Sequence, residues 1–187
     1  MPAPTARRLL LGSAAVALAF AIVSCTAEPT SRAPESPLPA RPASIEREGL
    51  QPCDLIDDAQ RRAFDIDEGT ARDLTVRRDR APTCIYLGRS VKIDSNVQLL
   101  PVPASELARI PGAVLDAMDG YGTVENRASS DVLPGCDISV DVNDSWSLRV
   151  QSQAPPRHLR AASLTEQSLC DRSSELAVVV LSRLTGR

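Results

Sequence analysis

Histidine and lysine are almost missing from this chain of 187 residues: His158 and Lys92 stand alone, against twenty arginines. One histidine leaves little room for a histidine-based metal site, and His158, in a polar loop after Pro155-Pro156-Arg157, reads as a surface residue and not as a general base. Aromatic residues are scarce too. Beyond Phe20 there are only Phe64, Tyr86, Tyr121 and Trp146, too few to stack nucleic-acid bases. No G-x-S-x-G, H-E-x-x-H, P-loop or dinucleotide fingerprint occurs, and with them go the commonest signs of hydrolase, metalloprotease and nucleotide chemistry. Long apolar runs are likewise wanting. The longest, Leu9 to Ile22, is shorter than the roughly 20 residues that a membrane-spanning helix needs.

That run is nonetheless the most informative stretch. Arg7 and Arg8 precede it, and it ends Ile22-Val23-Ser24-Cys25. A positive start, a short apolar segment and small or branched residues before a cysteine form a lipoprotein export signal. Residues 1–24 are then the signal peptide. Cys25 is the lipidated N-terminus, placing the mature chain on the extracytoplasmic face of a cell membrane. Removal of Arg7 and Arg8 leaves 19 basic against 24 acidic residues, a net charge of −5. An acidic surface does not suit nucleic acid.

From Thr26 to Gly49 the chain carries Pro29, Pro34, Pro37, Pro39 and Pro42 with few large apolar residues. This composition predicts a disordered tether over residues 25–49, counting the lipidated Cys25. Residues 50–187 then form one domain. Cys53, Cys84, Cys136 and Cys170 remain, an even number in an exported chain, and read as two disulfides. Spacing permits three pairings. Position favours Cys53–Cys170 between the terminal helices and Cys84–Cys136 between strands. A zinc site would want a C-x-x-C pair, and none occurs.

Asp57 with Gln60 opens a short helix. Leu74–Arg78, Cys84–Leu87 and Val91–Leu100 read as strands, the last stopped by Pro101 and Pro103. Glu106 to Met118 reads as two short helical turns broken at Pro111-Gly112, and Gly120-Tyr121-Gly122 as a loop. Ile138, Val140 and Val142 alternate with polar residues and lead through Asn143-Asp144-Ser145 to Trp146, Leu148 and Val150. A three-residue loop puts Val140 opposite Leu148 and Ile138 opposite Val150, all on one face. Ser163 with Glu166 predicts the start of a helix running to about Leu184. The fold expected is α+β: an antiparallel sheet of about five strands packed against N- and C-terminal helices.

Leu50-Gln51-Pro52-Cys53-Asp54-Leu55-Ile56, Cys84-Ile85-Tyr86, Cys136-Asp137-Ile138-Ser139-Val140-Asp141-Val142 and a late helical cysteine, behind a lipidation signal, resemble actinobacterial lipoproteins of the domain-of-unknown-function 3558 family. Tyr86 stands where members often have Trp, and Leu169 where they often have an acid. The resemblance implies an envelope location and the same disulfide pairing. It implies no reaction and carries over no functional residue.

The remaining candidates are weak as chemistry. Asp57-Asp58 suits a helix N-terminus, and Asp65-Ile66-Asp67-Glu68 lacks EF-hand spacing. Asp141 and Asp144 flank a turn, Arg77-Arg78-Asp79-Arg80 reads as a solvated turn, and Trp146 falls on the core face. No catalytic residue, metal ligand or cofactor is expected. The function expected is a non-catalytic interaction module for an envelope protein. The alternative is a lipid or small-molecule binder with an apolar cleft between sheet and helices.

Overall fold

The computed structural model describes residues 36–128 and 133–187. Seven strands form one antiparallel sheet: β1 (Thr70–Val76), β2 (Asp79–Tyr86), β3 (Asp94–Leu100), β4 (Val114–Met118), β5 (Tyr121–Ala128), β6 (Gly135–Val140) and β7 (Ser147–Gln153). Their spatial order is β1-β2-β3-β7-β6-β5-β4. Two meanders therefore meet where β3 pairs with β7. The chain between β3 and β4 must carry from the centre of the sheet to its far edge, and it includes the single-turn α2 (Ala104–Leu107). A short α1 (Asp58–Ala63) precedes the sheet; α3 (Pro156–Ala161) and the long α4 (Glu166–Thr185) follow it.

Alternation along the strands decides what covers each face. Cys84, Tyr86, Val97, Leu99, Ile138, Val140, Leu148 and Val150 are buried and form one core with Leu176, Ala177, Val180 and Leu181 of α4. Val140 lies opposite Leu148 and Ile138 opposite Val150, as the alternation requires. The strands end at Val140 and Ser147, however, so residues 141–146 form the connection rather than three residues, and Val142 O accepts from Ile45 N–H. In α4 the buried positions run 169, 170, 173, 176, 177, 180 and 181, a helical stripe. That stripe overrides the strand preference of Val178-Val179-Val180, and Val178 is left exposed.

Asp57 and Gln60 form the expected reciprocal cap on α1. The cap on α4 lies two residues later than Ser163 predicts. Thr165 and Ser168 make it instead, because Ser163 already closes α3. Its φ is 55°, its N–H donates to Arg160 O, and Leu164 N–H donates to Leu159 O, the paired bonds of a Schellman ending.

The sheet has seven strands rather than about five. The stretch expected as helical turns yields only α2 before running into β4, and Tyr121 opens β5 instead of lying in a loop. The cause is the dipeptide Asp119-Gly120, with φ of 52° and 85°. These are the left-handed conformations of a two-residue hairpin turn, and they set Met118 opposite Tyr121.

The disulfides join Cys53 to Cys84 and Cys136 to Cys170, with Cα–Cα distances of 5.0 Å in both. The expected pairs Cys53–Cys170 and Cys84–Cys136 are wrong. Cys84 on β2 and Cys136 on β6 share a face but stand three strands apart, about 14 Å, and a disulfide cannot cross more than about 7 Å between Cα atoms. Each sulfur instead meets the element lying over its own strand. Cys53 is in the 3-10 turn Pro52–Leu55, and Cys170 is in the first turns of α4. Gly69 is required beside the first bridge. It has φ +80°, and a Cβ there would stand 2.7 Å from Cys84 Sγ.

Residues 36–49 are not a free tether. Leu38 is buried with Ala104 and Val124, Ile45 N–H donates to Val142 O at 2.9 Å, and Trp146 Nε1 donates to Ile45 O at 3.2 Å. Arg41 forks onto Asp141 at 3.0 Å and reaches Asp144 at 2.8 Å. Few large residues are enough here because each lands on a prepared partner. Cys25 and residues 26–35 lie outside the described residues.

Candidate functional site

The face of the sheet turned away from α4 is built differently. Thr83, Gln98, Arg149 and Ser139 stand in one cross-strand row, and Asn96, Gln151, Asp137 and Asn126 in the next. These eight side chains are all polar, although the first row runs on to Val124 and the second to Ile85. The β3–β4 connection folds back over one part of this face: Ala104 packs on Val124, with Leu107 and Leu38 against them.

Between that connection, the sheet and the β1–β2 hairpin lies a cleft of about 530 Å³, within the usual range for small-molecule sites. Val76, Leu100, Val102, Leu107, Ile110 and Val114 form its apolar wall. Ile110 and Val114 are 48% and 54% exposed, although both are branched aliphatics that ordinarily seek burial. Asn126, Asp137 and Arg149 form a polar floor.

Arg149 is the centre of that floor. Its Nη2 donates to Asp137 Oδ1 at 3.2 Å and its Nη1 to Gln98 Oε1 at 3.4 Å, longer than the usual 2.9–3.0 Å. The Arg149 and Asp137 side chains are 29% and 12% exposed. Arg149 Nε, Ser139 Oγ and Asn96 Oδ1 are buried without a protein partner. All three sit in the two polar rows. Only one other side-chain atom among the described residues, His158 Nδ1, is in that condition.

The residues singled out by sequence have other duties. Asp65 accepts from Ser90 N–H at 2.7 Å and Val91 N–H at 3.2 Å. These bonds, the Ser90 amide foremost, hold its carboxyl below the ordinary value. Asp67 accepts from Gly69 and Leu87 amides. The acidic run thus ties the loop before β1 to the loop after β2. Burial pushes the Asp141 carboxyl up, against the opposing pull of Arg41. Arg77 and Arg78 form the β1–β2 turn, and Arg77 pairs with Glu106 and lines the cleft. Trp146 is core, as the alternation predicts. Glu125 lies beside the Cys136–Cys170 bridge, its oxygen within 4.8 Å of both sulfurs; joined as a cystine, they offer no thiolate to a metal.

Sequence reading missed the cleft, which had been expected between sheet and helices. One signal was available. Arg149 interrupts the polar serine and glutamine positions facing away from Leu148 and Val150, and a charge in a central strand calls for a partner. The roof could not be found this way, because its residues fall in a segment that reads as helical turns.

Among the described residues no helix is long and apolar enough to cross a membrane. No curated protein and no solved structure matches the chain significantly. The profile of the family described as "protein of unknown function (DUF3558)" matches residues 20–183. The chain belongs to that family.

Proposed function

We propose that the protein is an exported lipoprotein, anchored through Cys25, whose domain binds a small apolar ligand without acting on it chemically. The observation that carries this reading is the cleft of about 530 Å³, with exposed Ile110 and Val114 on its wall. Apolar surface left open beside a polar floor suits a ligand that removes it from water. The short reach of the anchor fits. Ten residues separate Cys25 from Ser36, a length of chain that reaches at most about 40 Å. Leu38, packed on the roof of the cleft, brings the site close to that end of the chain.

Native mass spectrometry of the lipidated protein, extracted gently from its own membrane, tests the reading. Retained apolar mass, lost in an Ile110→Glu variant, is expected. Protein that carries no small molecule and takes up no acyl-chain probe overturns it.

A second reading, an interaction module for an envelope protein, is favoured by the edge strand β4. Val114 and Leu115 are exposed there, and among the described residues no strand pairs with its outer side, which leaves it for strand addition by an extended segment. Photocrosslinking from Leu115 should return one reproducible neighbour; a scatter of unrelated proteins would sink this reading.

A further inference from the structure

Resting on the reading of the cleft as a ligand site, we propose that its ligand is a neutral amphiphile: an uncharged, hydroxyl-bearing head held between Asp137 and Arg149, with an apolar tail along the Val102–Ile110 wall. Two arginines present their side chains to the cleft, and each already faces a carboxylate. Arg77 pairs with Glu106, and Arg149 with Asp137 at 3.2 Å; Arg127 turns its side chain to the α4 face, onto Glu125 and Gln167. A fatty acid or phosphate entering here meets no uncompensated cation. Its charge would lie against Asp137, a like charge in a partly desolvated floor.

What the floor offers is hydrogen bonding of both senses. Asp137 accepts and Arg149 donates, and the bonds they make to protein are long. Arg149 also keeps an unpartnered donor in its Nε. A hydroxyl donates and accepts at once, so it can bridge Asp137 and Arg149 without breaking their charge balance. A carboxylate only accepts. The six aliphatic side chains of the wall give the tail its place.

Calorimetric titration of the full chain with a chain-matched pair, 1-monopalmitoylglycerol and palmitic acid, near neutral pH tests this. The monoacylglycerol is expected to bind at least about tenfold tighter than the acid, with little response to added salt. Ile110→Glu should abolish binding of both. Asp137→Asn, which frees the Arg149 charge, should move the preference about tenfold toward the acid. The wild-type comparison stands even if that variant folds poorly. Equal or tighter, salt-sensitive binding of the acid by wild type, lost in Ile110→Glu, overturns the neutral head and leaves the cleft reading intact. Binding that Ile110→Glu does not touch overturns the placement. Failure of both amphiphiles to bind overturns the cleft reading itself.

Discussion

The two faces of the sheet are made from the same strands, yet they solve different problems. On the α4 face the side chains from β2, β3, β6 and β7 are nearly all aliphatic or aromatic and fully buried. A disulfide locks an element onto each end of it. On the opposite face the same strands present Thr83, Gln98, Asn96, Arg149, Gln151 and Asp137, with a cleft instead of a covering helix. Buried polar atoms without partners cost about 1–3 kcal/mol each, so the second face is less stable than the same strands could have made it. A chain under selection for stability alone has no reason to keep three such atoms together. The first face holds the fold, and the second is the one on which the proposed ligand site rests.

The largest expected effects therefore lie on the α4 face. Replacing both cysteines of either bridge with serine should lower stability by about 4 kcal/mol, since the bridges close loops of 31 and 34 residues. Non-reducing peptide mapping should recover Cys53 linked to Cys84 and Cys136 linked to Cys170. Leu176→Ala, at a fully buried position, should cost about 3 kcal/mol in urea unfolding. Val114→Ala in the cleft wall should cost less than about 0.5 kcal/mol. Similar losses at Leu176 and Val114 would erase the contrast between the faces.

A smaller effect, and one set by pH, belongs to the loop that Asp65 ties down. Its carboxyl is held low mainly by the Ser90 amide, with Val91 N–H and the Ser90 hydroxyl adding to it. A depressed folded pKa means that the bonds favour the ionised form. Their contribution is present above the unfolded value of about 4 and is lost as pH falls through the lower folded value. Stability curves of wild type and Asp65→Asn should therefore lie apart at neutral pH and converge on acidification. Curves separated by a constant amount at every pH would show that the carboxylate charge is not what closes the loop.

The α4 face was far more legible in the sequence than the other. Period-two alternation in Ile138–Val142 and Trp146–Val150 gave the hairpin register, and helical spacing from Leu169 to Leu184 gave the stripe of α4. These signals are local and repeat. Disulfide pairing was misread because it depends on strand order, and strand order places β3 and β7 between Cys84 and Cys136. Strands β4 and β5 were missed although Asp119-Gly120 is a strong hairpin signal, because Pro111-Gly112 and the helix-forming residues around it suggested short helical turns. The cleft was illegible for a deeper reason. Its wall comes from β1, β3, the β3–β4 connection and β4, and its floor from β5, β6 and β7, so no window of sequence contains it.

The smallest expected effect lies in the backbone of the β1–β2 turn. Arg77 and Arg78 form the β1–β2 turn with φ of 52° and 76°, in the region where a residue with a Cβ is disfavoured by about 1 kcal/mol. Glycine relieves that strain but gives back part of the gain through the freer unfolded chain. Arg78→Gly should then stabilise by about 0.5 kcal/mol and leave ligand binding unchanged, since only Arg77 lines the cleft. Arg77→Gly relieves the same kind of strain but strips Glu106 of its partner. It removes a cation from the cleft lining and leaves the Glu106 carboxylate uncompensated, which should further disfavour an anionic amphiphile while sparing a neutral one. If the two glycine variants behave alike in both stability and ligand preference, the turn is only a turn. If they differ in preference alone, the strain at Arg77 is held for the face that binds.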